Sequence, residues 1–363
     1  MPLRKLGRAP LGATAAISGA ASLLSTIATN LLAEATKQAV GGGLVAVAWT
    51  TAALALLSFL FWAIGKRSSR SAGEVDAASE PQGGLGVVLS LPSRDRPSSG
   101  QLTAALRQAE QQHAVYEHID QELPTSVADR SAVVRNAAEK FHGTVNHRWS
   151  AAKAGPVALY LVSPLPESFI LGRHMRYPAR PVVVMQSART NDRSDTYYAA
   201  VELGERLHSP LSTAEKEHAE SLLCTDTRVF ESSPPEAPIA LIVELSGHQS
   251  RVEEAVQAAR TGESERYEIR STEQCRAALV ISTRSGGLSE DKKAFELAVR
   301  YLVEHWDAWV SDRGPAEDQL LFASAPAGLV TALGYVFAHD PLRPIRHVSP
   351  SFTGSTDSDK NST

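Results

Sequence analysis

The sequence is poor in cysteine and lacks the short motifs that mark many nucleotide-handling and hydrolytic enzymes. Cys224 and Cys275 are the two cysteines of 363 residues. They exclude a disulfide framework and lack the spacing of metal ligands. There is no Gly-Lys-Ser/Thr phosphate loop, no Gly-x-Gly-x-x-Gly fingerprint, no His-Glu-x-x-His zinc motif and no Gly-x-Ser-x-Gly elbow. We therefore expect a protein that works in a reducing compartment, is not an enzyme and holds no metal or resident cofactor.

Acidic residues outnumber basic ones over most of the chain. Residues 1–70 hold seven basic residues and one acidic residue, whereas the net charge of the whole chain is -4, so the remaining residues together carry -10. Because long polyanions are held by many phosphate contacts, we do not expect this acidic part to bind bulk DNA or RNA. A small anionic ligand in a locally basic pocket stays compatible with the charge.

Two long stretches near the N-terminus contain no charged residue. Residues 11–32 and residues 42–64 are each long enough to cross a hydrocarbon core of about 30 Å as a helix. Trp49 and Trp62 lie near the two ends of the second stretch, where indole rings favour the membrane interface. Basic residues flank the pair at both outer ends. The positive-inside rule therefore predicts a multi-pass hairpin, residues 1–65, with both termini in the cytoplasm.

The first of these stretches carries hydroxylic residues on one predicted helical face: Thr14, Ser18, Ser22, Ser25 and Thr29. Such a face lets transmembrane helices approach closely and bond across their contact. It is compatible with a seam between the two helices of one hairpin, and also with an oligomer seam or a polar pore lining. A cleaved signal peptide ending near Ala35 is a competing hypothesis, although the apolar stretch is long for a signal core and a second one follows at once.

The rest of the chain divides into a linker, two lobes and a tail. Residues 66–84 are rich in Ser, Ala, Gly and acidic residues, which predicts a flexible tether. The following region alternates short apolar runs with amphipathic stretches, as in an α/β fold with a mainly parallel sheet. We place the first lobe at residues 85–235 and the second at residues 236–350, and we expect residues 351–363 to be a disordered tail.

Strands and helices are predicted from apolar runs and periodicity. In the first lobe we expect strands at residues 86–91, 157–162 and 181–186, with a helical stretch over residues 101–141 that is broken near Pro124, and no assignment for residues 187–235. In the second lobe we expect strands at residues 239–245, 278–282, 320–323 and 344–348, and helices over residues 249–260, from residue 289, and up to residue 334.

Hydroxyl groups and small residues recur at the carboxyl ends of the predicted strands, where ligands bind in open α/β sheets. The candidate ligand-binding residues are Ser90, Ser93, Arg94, Ser163, Pro164, Ser246, Gly247, Thr283, Arg284, Ser285, Ser324, Ala325 and Pro326. Hydroxyls and backbone N–H groups at helix starts form a cradle for phosphate or ribose oxygens, and Arg94 and Arg284 offer charge-assisted contacts. Helix capping alone would also explain any single Ser or Thr. The recurrence in both lobes favours a nucleotide-type ligand.

The stretch from Leu320 to Gly334 resembles the C-terminal strand, turn and helix of SAVED domains, the cyclic-oligonucleotide sensors of bacterial CBASS anti-phage systems. It has an apolar strand, a Ser-Ala-Pro turn and a helix that ends in Leu-Gly. Residues 239–247 and 278–287 are similar to earlier parts of the second half of that family. The resemblance spans residues 85–350 and implies two fused Rossmann-like, CARF-like lobes forming a SAVED domain, here preceded by a transmembrane hairpin.

The resemblance also implies a mechanism. A partner cyclase makes a cyclic di-, tri- or tetranucleotide on infection, and the SAVED domain binds it and forms a homo-oligomer. Clustered hairpins would then disrupt the bacterial inner membrane in abortive infection, because tethering to one assembly raises their effective concentration. Two other classes stay open: a membrane-tethered ring nuclease or hydrolase that uses Ser or Thr hydroxyls and Arg284, and a membrane anchor that serves as scaffold for a protein partner.

Overall fold

The computed structural model describes residues 84–93, 99–148, 155–175, 180–188, 196–231, 233–284, 286–313 and 316–348. The predicted membrane spans, the linker up to residue 83 and the tail from residue 351 lie outside these residues. Among the helices that are described, none combines the length and the apolar character needed to cross a membrane.

The first lobe is built on a five-stranded sheet with helices between its strands. The strands are β1 (Leu85–Ser90), β2 (Val115–Asp120), β3 (Val157–Val162), β4 (Val182–Ser187) and β5 (Tyr197–Leu203), and the helices are α1 (Ser99–Gln112), α2 (Val127–Arg148) and α3 (Leu165–His174). The strand order is β2-β1-β3-β4-β5, with β5 antiparallel to β4 and the other pairs parallel. Every residue of β1 and β3 is buried, as expected for strands covered on both faces.

The second lobe repeats this plan. Its strands are β6 (Leu223–Val229), β7 (Ile239–Glu244), β8 (Ala277–Thr283), β9 (Gln319–Ser324) and β10 (Leu342–Pro344), and its helices are α4 (Thr213–Leu222), α5 (Ser250–Thr261), α6 (Lys292–Arg313) and α7 (Ala327–Val336). The order is β10-β9-β7-β8-β6, with β6 antiparallel to β8 and the other pairs parallel. The molecule is therefore a mixed α/β fold with two five-stranded sheets.

Both lobes have the same parallel core but add their antiparallel strand at opposite edges. In each lobe the first parallel strand, β1 or β7, lies between the next two parallel strands, so the crossovers run to both sides of it. This reversal of strand order is the switch point at which open α/β sheets bind ligands, next to the carboxyl ends of the strands. The switch points are at β1 and β3 in the first lobe and at β7 and β9 in the second.

Three secondary-structure predictions differ from the structure at sheet edges. The predicted helix over residues 101–141 is wrong at Val115–Asp120, which forms the parallel edge strand β2. The polar, partly exposed side chains of this strand are also typical of the outer face of a helix, which explains the wrong prediction. The unassigned residues 187–235 contain β6, which pairs with β8 in the second sheet although it precedes residue 236. The last edge strand is Leu342–Pro344, slightly before the predicted residues 344–348.

The lobes contact each other through the equivalent helices α3 and α7. Pro164 and Pro326 directly precede these helices, and Gly172 and Gly334 each follow their proline by eight residues. A Cβ atom on Gly172 would meet the carbonyl oxygen of Thr331, and one on Gly334 would meet that of Phe169. The two helices therefore cross with backbone against backbone, and the apolar core runs from one lobe into the other.

Charged groups join the lobes beside this crossing. Arg173 donates to the carbonyl oxygens of Ala338, Asp340 and Leu342, at 3.2, 2.6 and 3.3 Å. Glu167 has a fully buried carboxylate. It lies 3.6 Å from Arg130 of its own lobe and forms an ion pair with Arg346 of the other.

Candidate ligand-binding site

A cavity of about 680 Å³ opens at the carboxyl ends of β7 and β9. Its walls come from the second lobe apart from Leu165, which is the first residue of α3. The lining residues are Leu165, Ser246, Arg251, Glu254, Glu265, Arg266, Tyr267, Ser324, Ala325, His347 and Val348. We call this space the larger cavity.

A second cavity, of about 240 Å³, occupies the equivalent position in the first lobe. It lies at the carboxyl ends of β1 and β3, and we call it the smaller cavity. Its lining residues are Leu91, Pro92, Ser93, Gln101, Val162, Ser163, Pro164 and Leu165. Because Leu165 lines both spaces, the two cavities adjoin at the boundary between the lobes.

The floor of the larger cavity is a row of hydrogen-bonded polar side chains. Arg251, in the first turn of α5, donates to Ser324 Oγ at 2.8 Å. Ser324 Oγ lies 3.0 Å from Ser246 Oγ. Ser246 Oγ in turn donates to Glu244 Oε1 at 2.5 Å. Strand register explains the row, because Glu244 and Ser324 are paired at the carboxyl ends of β7 and β9.

One wall of the larger cavity is aromatic. The ring of Tyr267 lies 4.8 Å from that of His347 and packs edge-on against Phe322 at 5.2 Å. Burial, followed by the nearby carboxylates of Glu254 and Glu244, raises the pKa of Tyr267 to about 12. The phenol is therefore neutral at physiological pH.

Two distant segments form this wall. Tyr267 and His347 make an antiparallel bridge, and the N–H of Val348 donates to the carbonyl oxygen of Arg266 at 2.7 Å. His347 Nε2 lies 3.1 Å from the carbonyl oxygen of Ala323, to which it donates. The C-terminal segment is thus attached both to the loop after α5 and to the end of β9.

The larger cavity carries charge of both signs. Arg251 and Arg266 are its guanidinium groups, and Glu254 and Glu265 are its carboxylates. Arg266 is already engaged, with Nη1 3.2 Å from Glu254 Oε2. Arg251 is therefore the better placed of the two cations to meet an anionic group, since its bond in the row goes to a neutral hydroxyl.

The smaller cavity presents hydroxyl and amide groups instead of charge. None of its eight lining residues is ionisable. Ser163 Oγ lies 2.6 Å from Ser168 Oγ, and Ser168 donates to the carbonyl oxygen of Pro164 at 3.0 Å. These bonds connect the end of β3 to the first turn of α3. The two equivalent cavities therefore differ in chemistry.

Six of the thirteen predicted site residues line these cavities. Ser93, Ser163 and Pro164 line the smaller cavity, and Ser246, Ser324 and Ala325 line the larger one. Five more are described but line neither: Ser90, Gly247, Thr283, Arg284 and Pro326. Arg94 and Ser285 lie outside the described residues.

Arg284 has a contact that differs from the predicted one. Its side chain points toward the junction of α4 and β6, where Nε donates to the carbonyl oxygens of Glu220 and Leu223 at 2.6 and 3.1 Å. These bonds fasten the loop after β8 to the end of α4. Within the described part of the chain, Arg251 is the arginine that reaches the row of serines.

The remaining four residues lie beneath or beside the cavities. Ser90 is fully buried at the end of β1, and Thr283 is buried at the end of β8 and donates to the carbonyl oxygen of Gly286. Gly247 has a φ of 84°, and a Cβ there would meet the backbone of Gly286, so glycine is required at this close approach. Pro326 directly precedes α7.

Sequence reasoning missed the cationic and aromatic residues of the larger cavity. Arg251 had a local signal, because it falls in the first turn of the helix predicted after a buried strand. Tyr267 and His347 had none, because their approach depends on pairing between segments far apart in sequence. In the described ranges, no cluster of three or more His, Cys, Asp or Glu side chains is arranged to hold a metal ion.

No family model matches the chain, and neither does any curated protein. Among solved structures 43 chains match, including structures of the Acinetobacter baumannii Cap4 SAVED/CARF-domain containing receptor. The structure with the cyclic trinucleotide 3′3′3′-cAAA has a TM-score of 0.41 and 10% identity, covering 69% of this chain and 46% of that one. The structure with 2′3′3′-cAAA has a TM-score of 0.39 and 11% identity, covering 77% and 49%. The chain thus spans about half the length of the receptors it is similar to.

Proposed function

We propose that this chain is a SAVED-type receptor that binds a cyclic oligonucleotide across the two adjoining cavities. The observation that carries the proposal is their placement: equivalent strand ends in two equivalent lobes open into spaces that share Leu165. The larger volume, 680 Å³, falls within the range of about 300–1,000 Å³ typical of small-molecule sites. In this proposal a ring of linked nucleotides occupies both spaces at once.

The lining supplies each kind of contact that a nucleotide needs. Arg251 offers a cation with several N–H donors for a phosphate. His347 offers a partly exposed aromatic ring, packed on the buried Tyr267, and stacking on aromatic rings is the common way proteins hold unpaired bases. Neutral Ser and Gln groups in the smaller cavity suit a sugar or base edge. A single anionic contact is compatible with the acidic charge of this part of the chain.

We further propose that residues 11–32 and 42–64 anchor the receptor in the bacterial inner membrane and form its effector. Ligand binding would favour a homo-oligomer, and the clustered hairpins would disrupt the bilayer. The support for this part is the pair of uncharged stretches in the sequence. A ligand shifts such an equilibrium only by binding the assembled state more tightly than the free one.

The receptor proposal is tested by calorimetry on the full chain in detergent against cyclic di-, tri- and tetranucleotides, including 3′3′3′-cAAA and 2′3′3′-cAAA. We expect one ring to bind with micromolar affinity or better, about -8 kcal/mol, and to increase the assembly size measured in parallel. No binding across the panel would remove the receptor function and favour a scaffold. Recovery of the ring in cleaved form after long incubation would favour a nuclease instead.

The membrane proposal needs a separate experiment. The full chain is reconstituted in dye-loaded liposomes, and leakage is followed before and after adding the ring that binds. We expect leakage only after addition, and no leakage with a ring that does not bind. Leakage that is equal with and without ligand would contradict ligand-gated disruption and leave the binding result intact.

A further inference from the structure

The hydrogen bonds around Ser246 and Ser324 run in a single direction. A guanidinium has only N–H donors, so Ser324 Oγ accepts the 2.8 Å bond from Arg251. At the other end of the row, Ser246 donates its one hydroxyl hydrogen to Glu244 Oε1 at 2.5 Å. The 3.0 Å contact between the two hydroxyl oxygens must therefore use the hydrogen of Ser324. Both serine hydrogens are consumed within the row.

Glu244 sets this direction. Its Oε1 also receives the backbone N–H groups of Ser246 and His248, at 2.9 and 3.1 Å. Backbone N–H groups can only donate, so Oε1 is an acceptor for all three bonds. Glu244 is 2% exposed, so solvent does not replace the serine hydroxyl as a donor to its carboxylate. Reversing the row would leave a buried carboxylate oxygen facing a lone pair, a costly arrangement.

The direction decides what Ser324 offers to a ligand in the larger cavity. With its hydrogen committed to Ser246, Ser324 presents a lone pair, which matches an N–H or O–H group and does not match a phosphate oxygen. We propose, as an inference that rests on the proposed function, that Ser324 forms a subsite for a hydrogen-bond donor of the nucleoside. That donor is a ribose 2′-hydroxyl or a base amino group. The phosphate is bound by Arg251, whose guanidinium has further N–H groups beyond the one given to Ser324.

This assignment differs from the expectation drawn from the sequence, in which strand-end hydroxyls and N–H groups cradle phosphate or ribose oxygens. The row of side chains would therefore discriminate between ligands, because a site built to receive a hydrogen-bond donor rejects analogues that lack the donor. The two sources of the donor are distinguished by two analogues of 3′3′3′-cyclic tri-AMP. One has 2′-deoxyribose at every position, and the other has purine without the amino group at every position.

The test is calorimetry of the parent ring and both analogues with the full chain, the Ser324→Ala variant and a matched Ser311→Ala control. Ser311 lies on α6, and its exposed hydroxyl donates to the carbonyl oxygen of Asp307 at 2.7 Å. We expect one analogue to bind the wild type and the control about tenfold more weakly than the parent ring does. With Ser324→Ala the parent ring weakens and that analogue shows no further loss.

Equal affinity of the wild type for all three rings would overturn the donor subsite while leaving the receptor function standing. A loss of affinity for one analogue, relative to the parent ring, that persists in Ser324→Ala would overturn the subsite as well. The comparison of the three rings on the wild type can overturn the subsite even if Ser324→Ala fails to fold. Where another ring of the panel binds instead, the same two modifications are made to that ring. If no ring binds, the receptor function fails and this subsite fails with it.

Discussion

Gly172 of α3 and Gly334 of α7 each lie against the backbone of the opposite helix. The carbonyl oxygens of Thr331 and Phe169 occupy the space in which a side chain would begin. Each contacted residue lies three positions before the glycine of its own helix, so the crossing is symmetrical. This contact helps to position the two cavities, because β3 and β9, one strand at each cavity, run directly into α3 and α7.

Gly172→Ala tests the crossing. The new methyl group would meet a main-chain carbonyl that cannot rotate away, so we expect the free energy of unfolding to fall by more than about 2 kcal/mol. The matched control is Gly143→Ala, on an exposed part of α2 where a Cβ meets nothing within 4 Å. There we expect a gain of about 0.5–1 kcal/mol from helix propensity. Denaturant unfolding followed by tryptophan fluorescence measures both, and similar losses would contradict the close crossing.

The sequence predicted the parallel core well and the edges poorly. The strands β1, β3 and β7 were located to within about one residue, because burial on both faces produces continuous apolar runs. The edge strand β2 was predicted as helix, and the edge strands β5 and β6 were left unassigned. The sequences of β2 and β6, Val-Tyr-Glu-His-Ile-Asp and Leu-Cys-Thr-Asp-Thr-Arg-Val, carry polar groups on exposed faces. Their conformation depends on pairing with β1 and β8, which no local pattern reveals.

The candidate site was predictable in part for the same reason. Strand ends can be found from the apolar runs, so the sequence alone predicts Ser246 and Ser324 as site residues. The aromatic wall could not be, because Tyr267 and His347 meet through tertiary pairing. Arg284 follows a strand end as predicted, yet its side chain turns toward Glu220. Position along a strand does not determine the direction in which a long side chain points.

Arg251 and Arg284 give opposite expectations for ligand binding. Arg251→Gln removes the cation that lines the larger cavity, and we expect the affinity for a cyclic oligonucleotide to fall at least tenfold, about 1.4 kcal/mol. Arg284→Gln removes a side chain that contacts carbonyl oxygens outside the cavity, and we expect the affinity to stay within about twofold. Calorimetry of both variants decides between the geometry and the sequence prediction. A large loss in Arg284→Gln alone would favour the sequence prediction.

Arg346 and Arg343 form a second matched pair. Arg346→Gln leaves the buried carboxylate of Glu167 with Arg130 alone, 3.6 Å away, and we expect a loss of about 3 kcal/mol in unfolding free energy. Arg343 pairs with Glu273 at 2.6 Å but is 48% exposed, so Arg343→Gln is expected to cost less than about 1 kcal/mol. Denaturant unfolding compares the two. Equal losses of unfolding free energy in the two variants would show that burial of the pair between Arg346 and Glu167 adds no stability.

Acid should weaken one contact between α4 and α6. Hydrogen bonds from the Arg300 guanidinium, and then from Ser212, lower the pKa of Glu215 to about 2. Because this pKa lies below the usual value of 4.5, the stabilisation is present above that value and is lost as the pH falls toward 2. We expect wild type to exceed Glu215→Gln in stability at pH 6 and the difference to shrink at pH 3. A difference that is constant with pH would contradict this pairing.

The glycine crossing has a consequence for the choice of ligand. Side-chain rotamers adapt easily, but main-chain carbonyls packed against Cα atoms do not, so the spacing between the two cavities is held by a contact that adjusts little. Under the proposed function, a ring that occupies both cavities would be selected first by its circumference. Only a ring of the right size would then bring its bases and phosphates to the residues that distinguish them.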